Sequence, residues 1–175
     1  MDRAGALRAR LDELRQGFDR AFAEELTGAS DAGVNLLAIR VGRDAHAVRL
    51  SDVAALEVRC AVTPVPSEHP ELLGIAGLRG AVVAVFDLAA LIGASGGEAS
   101  WVLLAKGAPV AFAFAGFEGV LNVRESDLAR TQTARGARVR DVVWREGQPL
   151  PVIDVAGLVG DLEHRPRVAP REGAR

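Results

Sequence analysis

Two aspartates, Asp87 and Asp154, stand 67 residues apart. Paired carboxylates are the simplest acid and base kit a chain can assemble, with one held protonated and the other ionised. Each of these, however, ends an apolar run and opens a short helical pattern. A carboxylate in that position accepts from the backbone N–H groups that start a helix, so capping accounts for both, and a small β-barrel enzyme using Asp87 and Asp154 is an alternative reading. The other reactive types are scattered. Cys60 lacks a His/Asn context and reads as a small buried residue rather than a nucleophile. His46, His69 and His164 show no i, i+4 pairing and no cysteine pair, so no zinc site is expected. Gly74, Gly77 and Gly80 spell GxxGxxG, which is neither a dinucleotide fingerprint nor a P-loop, because no Lys-Ser/Thr follows. No catalytic residue, metal or cofactor is expected. Arg79 is different: it stands in a turn between apolar segments, where its guanidinium is either solvated or held by a carboxylate as part of a recognition surface. Glu57 is a candidate partner for it.

The elements that position these residues centre on LGIAGLRGAVVAVFDLAALIG, residues 73–93. Residues 74–78 read as an apolar turn, Arg79-Gly80 as a tight turn, 81–86 as a fully buried strand, and 88–92 as a short helix stopped by Gly93. Residues 147–160 repeat residues 80–93, with Gly80/Gly147, Val85/Val152, Asp87/Asp154, Ala89/Ala156, Leu91/Leu158 and Gly93/Gly160 coinciding. A period this long does not suit a solenoid and points to duplication of a small subdomain.

Before this core, residues 2–26 carry Leu7, Leu11, Leu14, Phe18 and Phe22 at spacings of three and four, the mark of an amphipathic helix that packs either on the protein's own body or on a partner. TGASDAG, residues 27–33, is a flexible linker. Strands follow over 35–41, 45–50 and 56–58, then an extended 62–66 and a single turn over 70–73. A loop over 94–99 divides the halves. Strands over 101–105, 110–114, 117–123 and 139–145 come next, with an exposed loop over 130–138. The resulting division is a helix and linker over 1–33, a β domain over 34–160 with subdomains at about 34–93 and 100–160, and a disordered tail over 161–175. Short strands punctuated by Gly and Pro argue for two small β-barrels.

Composition limits the function classes. The 175 residues are 49% apolar, enough for a core, and carry a net charge of −2 from 21 basic and 23 acidic residues. No basic stripe with interleaved aromatics marks a nucleic-acid partner. One cysteine rules out an internal disulfide, and no run suits a transmembrane helix or a signal core, so a cytoplasmic protein is expected.

Val62-Thr63-Pro64-Val65-Pro66, followed by residues 74–88, GIAGLRGAVVAVFDL, resembles the CheW-like domain of bacterial chemotaxis over about residues 35–159. The resemblance implies an all-β fold of two SH3-like five-stranded barrels, to which the N-terminal amphipathic helix is an addition. It implies a non-enzymatic adaptor that couples chemoreceptor signalling tips to the regulatory domain of the histidine kinase CheA, possessing no cofactor, binding no nucleic acid and inserting in no membrane, yet open to recruitment to membrane-associated receptor arrays. By the same resemblance Val53, Leu78, Arg79 and Gly80 are receptor-side candidates. The chain departs from the family pattern at His46-Ala47-Val48, Ala55, Gly77 and Ala84, and Glu57, on the same strand face as Ala55, is placed to substitute for a glutamate expected there. These departures motivate a second reading, a diverged scaffold that binds kinase or CheW-like domains without receptor.

Overall fold

The structure is a computed structural model that describes residues 16–17, 33–95, 97–130 and 138–164. The expected helix over 2–26 lies outside the described residues except at Gln16 and Gly17, which are helical and exposed. Most of the expected tail lies outside them as well.

The chain begins with a hairpin of β1 (Gly33–Val41) and β2 (Asp44–Arg49), then a 3-10 turn at Leu50–Asp52 and β3 (Val53–Val58). A second hairpin, β4 (Leu72–Leu78) and β5 (Ala81–Asp87), runs into α1 (Leu88–Ile92). The second half contributes β6 (Trp101–Ala105), β7 (Val110–Phe114), β8 (Gly116–Arg124), the short β9 (Ala129–Arg130), β10 (Val139–Arg145), β11 (Gln148–Ile153) and α2 (Val155–Glu163).

Two expectations are corrected here. Residues 74–78 are not a turn; they form most of β4, whose inward residues Gly74, Ala76 and Leu78 alternate with exposed Leu73, Ile75 and Gly77. Because the outward positions are also apolar or glycine, the period of two does not show in the sequence. The C-terminal element also runs beyond residue 160, since α2 continues to Glu163 and Arg138 pairs with Asp161 on its last turn.

One sheet has the order β8-β1-β2-β11-β10-β9 and the other β3-β6-β7-β5-β4. These orders are the same five-strand arrangement used twice. By their order along the two halves β1 answers to β6, β2 to β7, β3 to β8, β4 to β10 and β5 to β11, the last pair falling within the sequence repeat. Each sheet therefore takes its leading hairpin from one half of the chain and its other principal strands from the other half, so the sheets cut across the division at about residues 93–100. The repeat extends to irregularities: the ladder skips Leu73 in β4 and Arg140 in β10, at the same spacing as Asp87 and Asp154. β5 lies parallel to β7 through Ala84↔Val110, and β11 parallel to β2 through Val152↔Ala47. Pro149 and Pro151 pair with β10 alone, and the parallel pairing to β2 begins only at Val152, so neither proline is asked for an N–H on the second side.

Three apolar clusters result. The largest, with Leu37, Ile39, Phe86, Leu103, Phe112 and Ile153 among its members, lies between the sheets and takes in both helices. The other two are small and sit within single sheets, one around Val83, Val85 and Ala111, the other around Leu36, Leu150 and Val152. Most of the apolar burial is thus shared between the sheets, which argues that they unfold together. Trp101 of β6 and Phe117 of β8 add a tilted ring contact at 5.6 Å across this core.

Candidate interaction surface

Arg79 and Gly80 form the two-residue turn between β4 and β5, closed by the pair Leu78↔Ala81. Their φ values are +49° and +80°. Positive φ at both central residues suits the twist of a tight hairpin; glycine adopts it freely, and Arg79 holds it at a modest cost. Leu78, 5% exposed, anchors the turn in the inner cluster of its sheet. Arg79 itself is exposed, and among the described residues no hydrogen bond or ion pair joins it to Glu57. Beside this tip the hairpin turns an apolar face outward: Leu73, Ile75, and Val82, the last 69% exposed. Gly77 lies among them opposite Val82, and a Cβ added there would meet no atom within 4 Å, so the face has a shallow open spot.

The repeat builds a counterpart. Glu146 and Gly147, with φ of +51° and +78°, make the turn between β10 and β11. The outward residues there are Val142, Trp144, Pro149 and Pro151, with Trp144 66% exposed. The two hairpin tips therefore carry opposite charges on equivalent scaffolds.

The remaining candidates lie elsewhere. Val53, at the start of β3, is fully buried in the shared core and offers no contact area. Glu57 is half-buried on β3 and sits opposite Val102 of β6. In strand order β3 and β4 are opposite ends of their sheet, but the chain between them reaches back, and Thr63 bridges Ile75 through N–H···O bonds of 2.8 and 2.9 Å. The structure thus gathers Leu78, Arg79 and Gly80 in one hairpin, whereas Glu57 and Val53 lie on β3, at the other end of the sheet and paired with β6. Of the family departures, Ala55 is buried, Gly77 is exposed on the outward face of the hairpin, and Ala84, half-buried, packs against the core between the sheets. Sequence reasoning missed the exposed Ile75, Val82 and Trp144. For Ile75 and Val82 the signal was an apolar residue or glycine at nearly every position of a segment that still had to alternate; Trp144 stands in a mixed strand, VRDVVWR, whose imperfect alternation did not tell its outward face.

Asp87 and Asp154 are both engaged as caps. Asp87 Oδ1 accepts from the N–H groups of Ala89 at 2.9 Å and Ala90 at 3.4 Å, and Asp154 Oδ1 accepts from Gly157 at 3.0 Å. Among the described residues no three His, Cys, Asp or Glu side chains gather as metal ligands. The Cys60 thiol is pushed up from its ordinary pKa by burial and then by the nearby charge of Glu57, which works against a thiolate nucleophile.

Comparison with known proteins decides the family. A family model for the CheW-like domain matches residues 35–163. This chain belongs to the CheW-like domain family. A solved structure that resembles it is the scaffolding protein TtCheW from Thermoanaerobacter tengcongensis, at a TM-score of 0.63 and 15% identity, covering 70% of this chain and 89% of that one. At that identity the likeness concerns the fold. No curated protein matches the chain. The CheW-like match spans both sheets and both described helices, so the hairpin exchange lies inside the family domain. Membership makes the chain a scaffold or adaptor of chemotaxis signal transduction.

Proposed function

We propose that this chain is a non-enzymatic coupling protein that joins the regulatory domain of the histidine kinase CheA to the cytoplasmic signalling tip of chemoreceptors. The observation that carries the reading is the Arg79-Gly80 tip, a family-motif turn presented in the open beside an apolar face. A helical receptor tip offers apolar residues at i, i+3 and i+4 and acidic groups for a guanidinium, which is the chemistry this hairpin complements. In this reading Arg79 and Gly80 make contact over the anchor Leu78, and Val53 and Glu57, on β3 at the other end of the sheet, belong to the receptor side only by the family resemblance. Both sheets are read as SH3-like barrels: Thr63 on Ile75 and β9 on β10 supply the joins between strands that would otherwise be ends. The added N-terminal helix and linker precede this domain and the tail follows it. The protein works in the cytoplasm, recruited to receptor arrays through its partners, with no cofactor; among the described residues no helix is long and apolar enough to cross a membrane.

A second reading has an observation of its own. Gly77 removes side-chain bulk from the outward hairpin face, and Ala55 stands where the family pattern has a carboxylate, so a scaffold that binds kinase or CheW-like domains without receptor is the alternative. Titrating the full chain separately with a kinase regulatory domain and a receptor-tip fragment distinguishes the two. Binding to both, with the receptor arm weakened at least tenfold by Arg79→Glu, supports coupling. Binding to the kinase domain alone selects the diverged scaffold, and binding to neither removes both readings.

A further inference from the structure

We infer that residues 2–26 dock in cis as an amphipathic helix on the surface around Trp144, covering a groove between β8 and β10. The groove measures about 670 Å³ and is lined by Asn122, Val123, Arg124, Ala129, Val143 and Trp144, an apolar floor with a polar rim. Trp144 is 66% exposed, a large apolar side chain left uncovered. Where the preceding chain meets the domain singles out the occupant. Gly33 opens β1 opposite Arg124, and a Cβ added to it would fall 2.6 Å from Asn122 Oδ1, so the N-terminal segment leaves the fold at the groove's own rim. Residues 27–32 span up to ~20 Å when extended, enough to turn a helix back over that rim without reaching across the molecule.

The segment also has the right shape. Leu7, Leu11, Leu14, Phe18 and Phe22 make one continuous apolar stripe, the complement of an apolar floor. At 3.6 residues per turn Gln16 projects about 160° from the centre of that stripe, and Gln16 is helical and exposed, as a residue on the outer face of a docked helix must be. On the rim, Arg124 and Asp127 offer charges to Asp19 and Arg15, which flank the stripe. In the other sheet Gly77 occupies the position that corresponds to Trp144, so no tryptophan stands there.

The full-length chain carries its own reporter. It has two tryptophans, and Trp101 is 8% exposed in the core, so changes in solvent contact report on Trp144. Acrylamide quenching of the full chain is compared with that of a full-length Phe18→Glu/Phe22→Glu variant, and a Trp144→Phe background supplies the Trp101 contribution. The inference expects a red shift and a several-fold larger Trp144 quenching constant in the variant, with Trp101 equally protected in both as the check on folding. Equal Trp144 quenching in parent and variant overturns it, whether the tryptophan is open in both or shielded by another segment. Shielding that grows with protein concentration and tracks a dimer mass also overturns it, because the cover is then a second copy.

Discussion

The ion pair between Arg49, at the end of β2, and Asp141, in β10, gives the most quantitative test of the packing. Arg49 Nη2 donates to Asp141 Oδ2 at 2.9 Å, with side-chain exposures of 15% and 2%. Burial alone would lower the Arg49 pKa, but hydrogen bonding to Asp141 and the nearby charge of Glu125 outweigh it and raise it. Arg49→Met keeps the aliphatic stem and leaves a buried carboxylate whose nearest remaining cation is Arg140 Nε at 3.8 Å. Breaking a buried pair from one side costs ~3–5 kcal/mol, because the surviving charge is stranded. For a domain of this size that lowers Tm by roughly 10–20 °C. Removing both charges has a different outcome. Arg49 Nε is buried without a partner, so the native pair is itself imperfectly satisfied, and Arg49→Met/Asp141→Leu is expected within ~1–2 kcal/mol of the parent. Urea unfolding of the parent, the single variant and the double variant measures all three. A single variant within ~0.5 kcal/mol of the parent, or a double variant worse than the single, refutes the reasoning.

Other expectations are smaller. Gly74→Ala places a Cβ 2.1 Å from the Thr63 carbonyl oxygen at a φ of +148°, so it should break the Thr63–Ile75 bridge and cost ~2–4 kcal/mol in thermal or urea unfolding. Asp87→Ala removes an acceptor for two N–H groups, and ~1 kcal/mol of destabilisation is expected, with Asp154→Ala costing slightly less for its single bond. At pH 8 Cys60 should alkylate more slowly than a free thiol, because a raised pKa leaves less thiolate. Glu57→Gln removes one of the two causes, so the rate should rise; an unchanged rate would show that Glu57 does not act on the thiol.

What the sequence made legible was mostly local. The repeat over residues 80–93 and 147–160 marked both hairpin turns, both caps and the two helices, since each depends on neighbours within a few residues. β4 was hidden because Leu73, Ile75 and Gly77 leave no polar residue on its outer face. The hairpin exchange was hidden for another reason: β2 finds its parallel partner β11 in the other half of the chain, and either half's hairpin satisfies the same local pattern. Arg49 and Asp141 are 92 positions apart, and nothing in either strand announces the other. At the candidate surface, the motif located Leu78, Arg79 and Gly80, but only the fold separates the exposed Arg79 from Val53, which is closed off in the core.

The most direct test of the coupling role is bridging. Receptor-tip fragments displayed on vesicles are sedimented with the kinase regulatory domain, with and without the full-length chain. The account predicts that the kinase domain co-sediments only when the chain is present, and that Arg79→Glu abolishes this while the chain still binds the kinase domain in solution. Co-sedimentation that is independent of the chain, or a chain that binds both partners and never brings them down together, would contradict it.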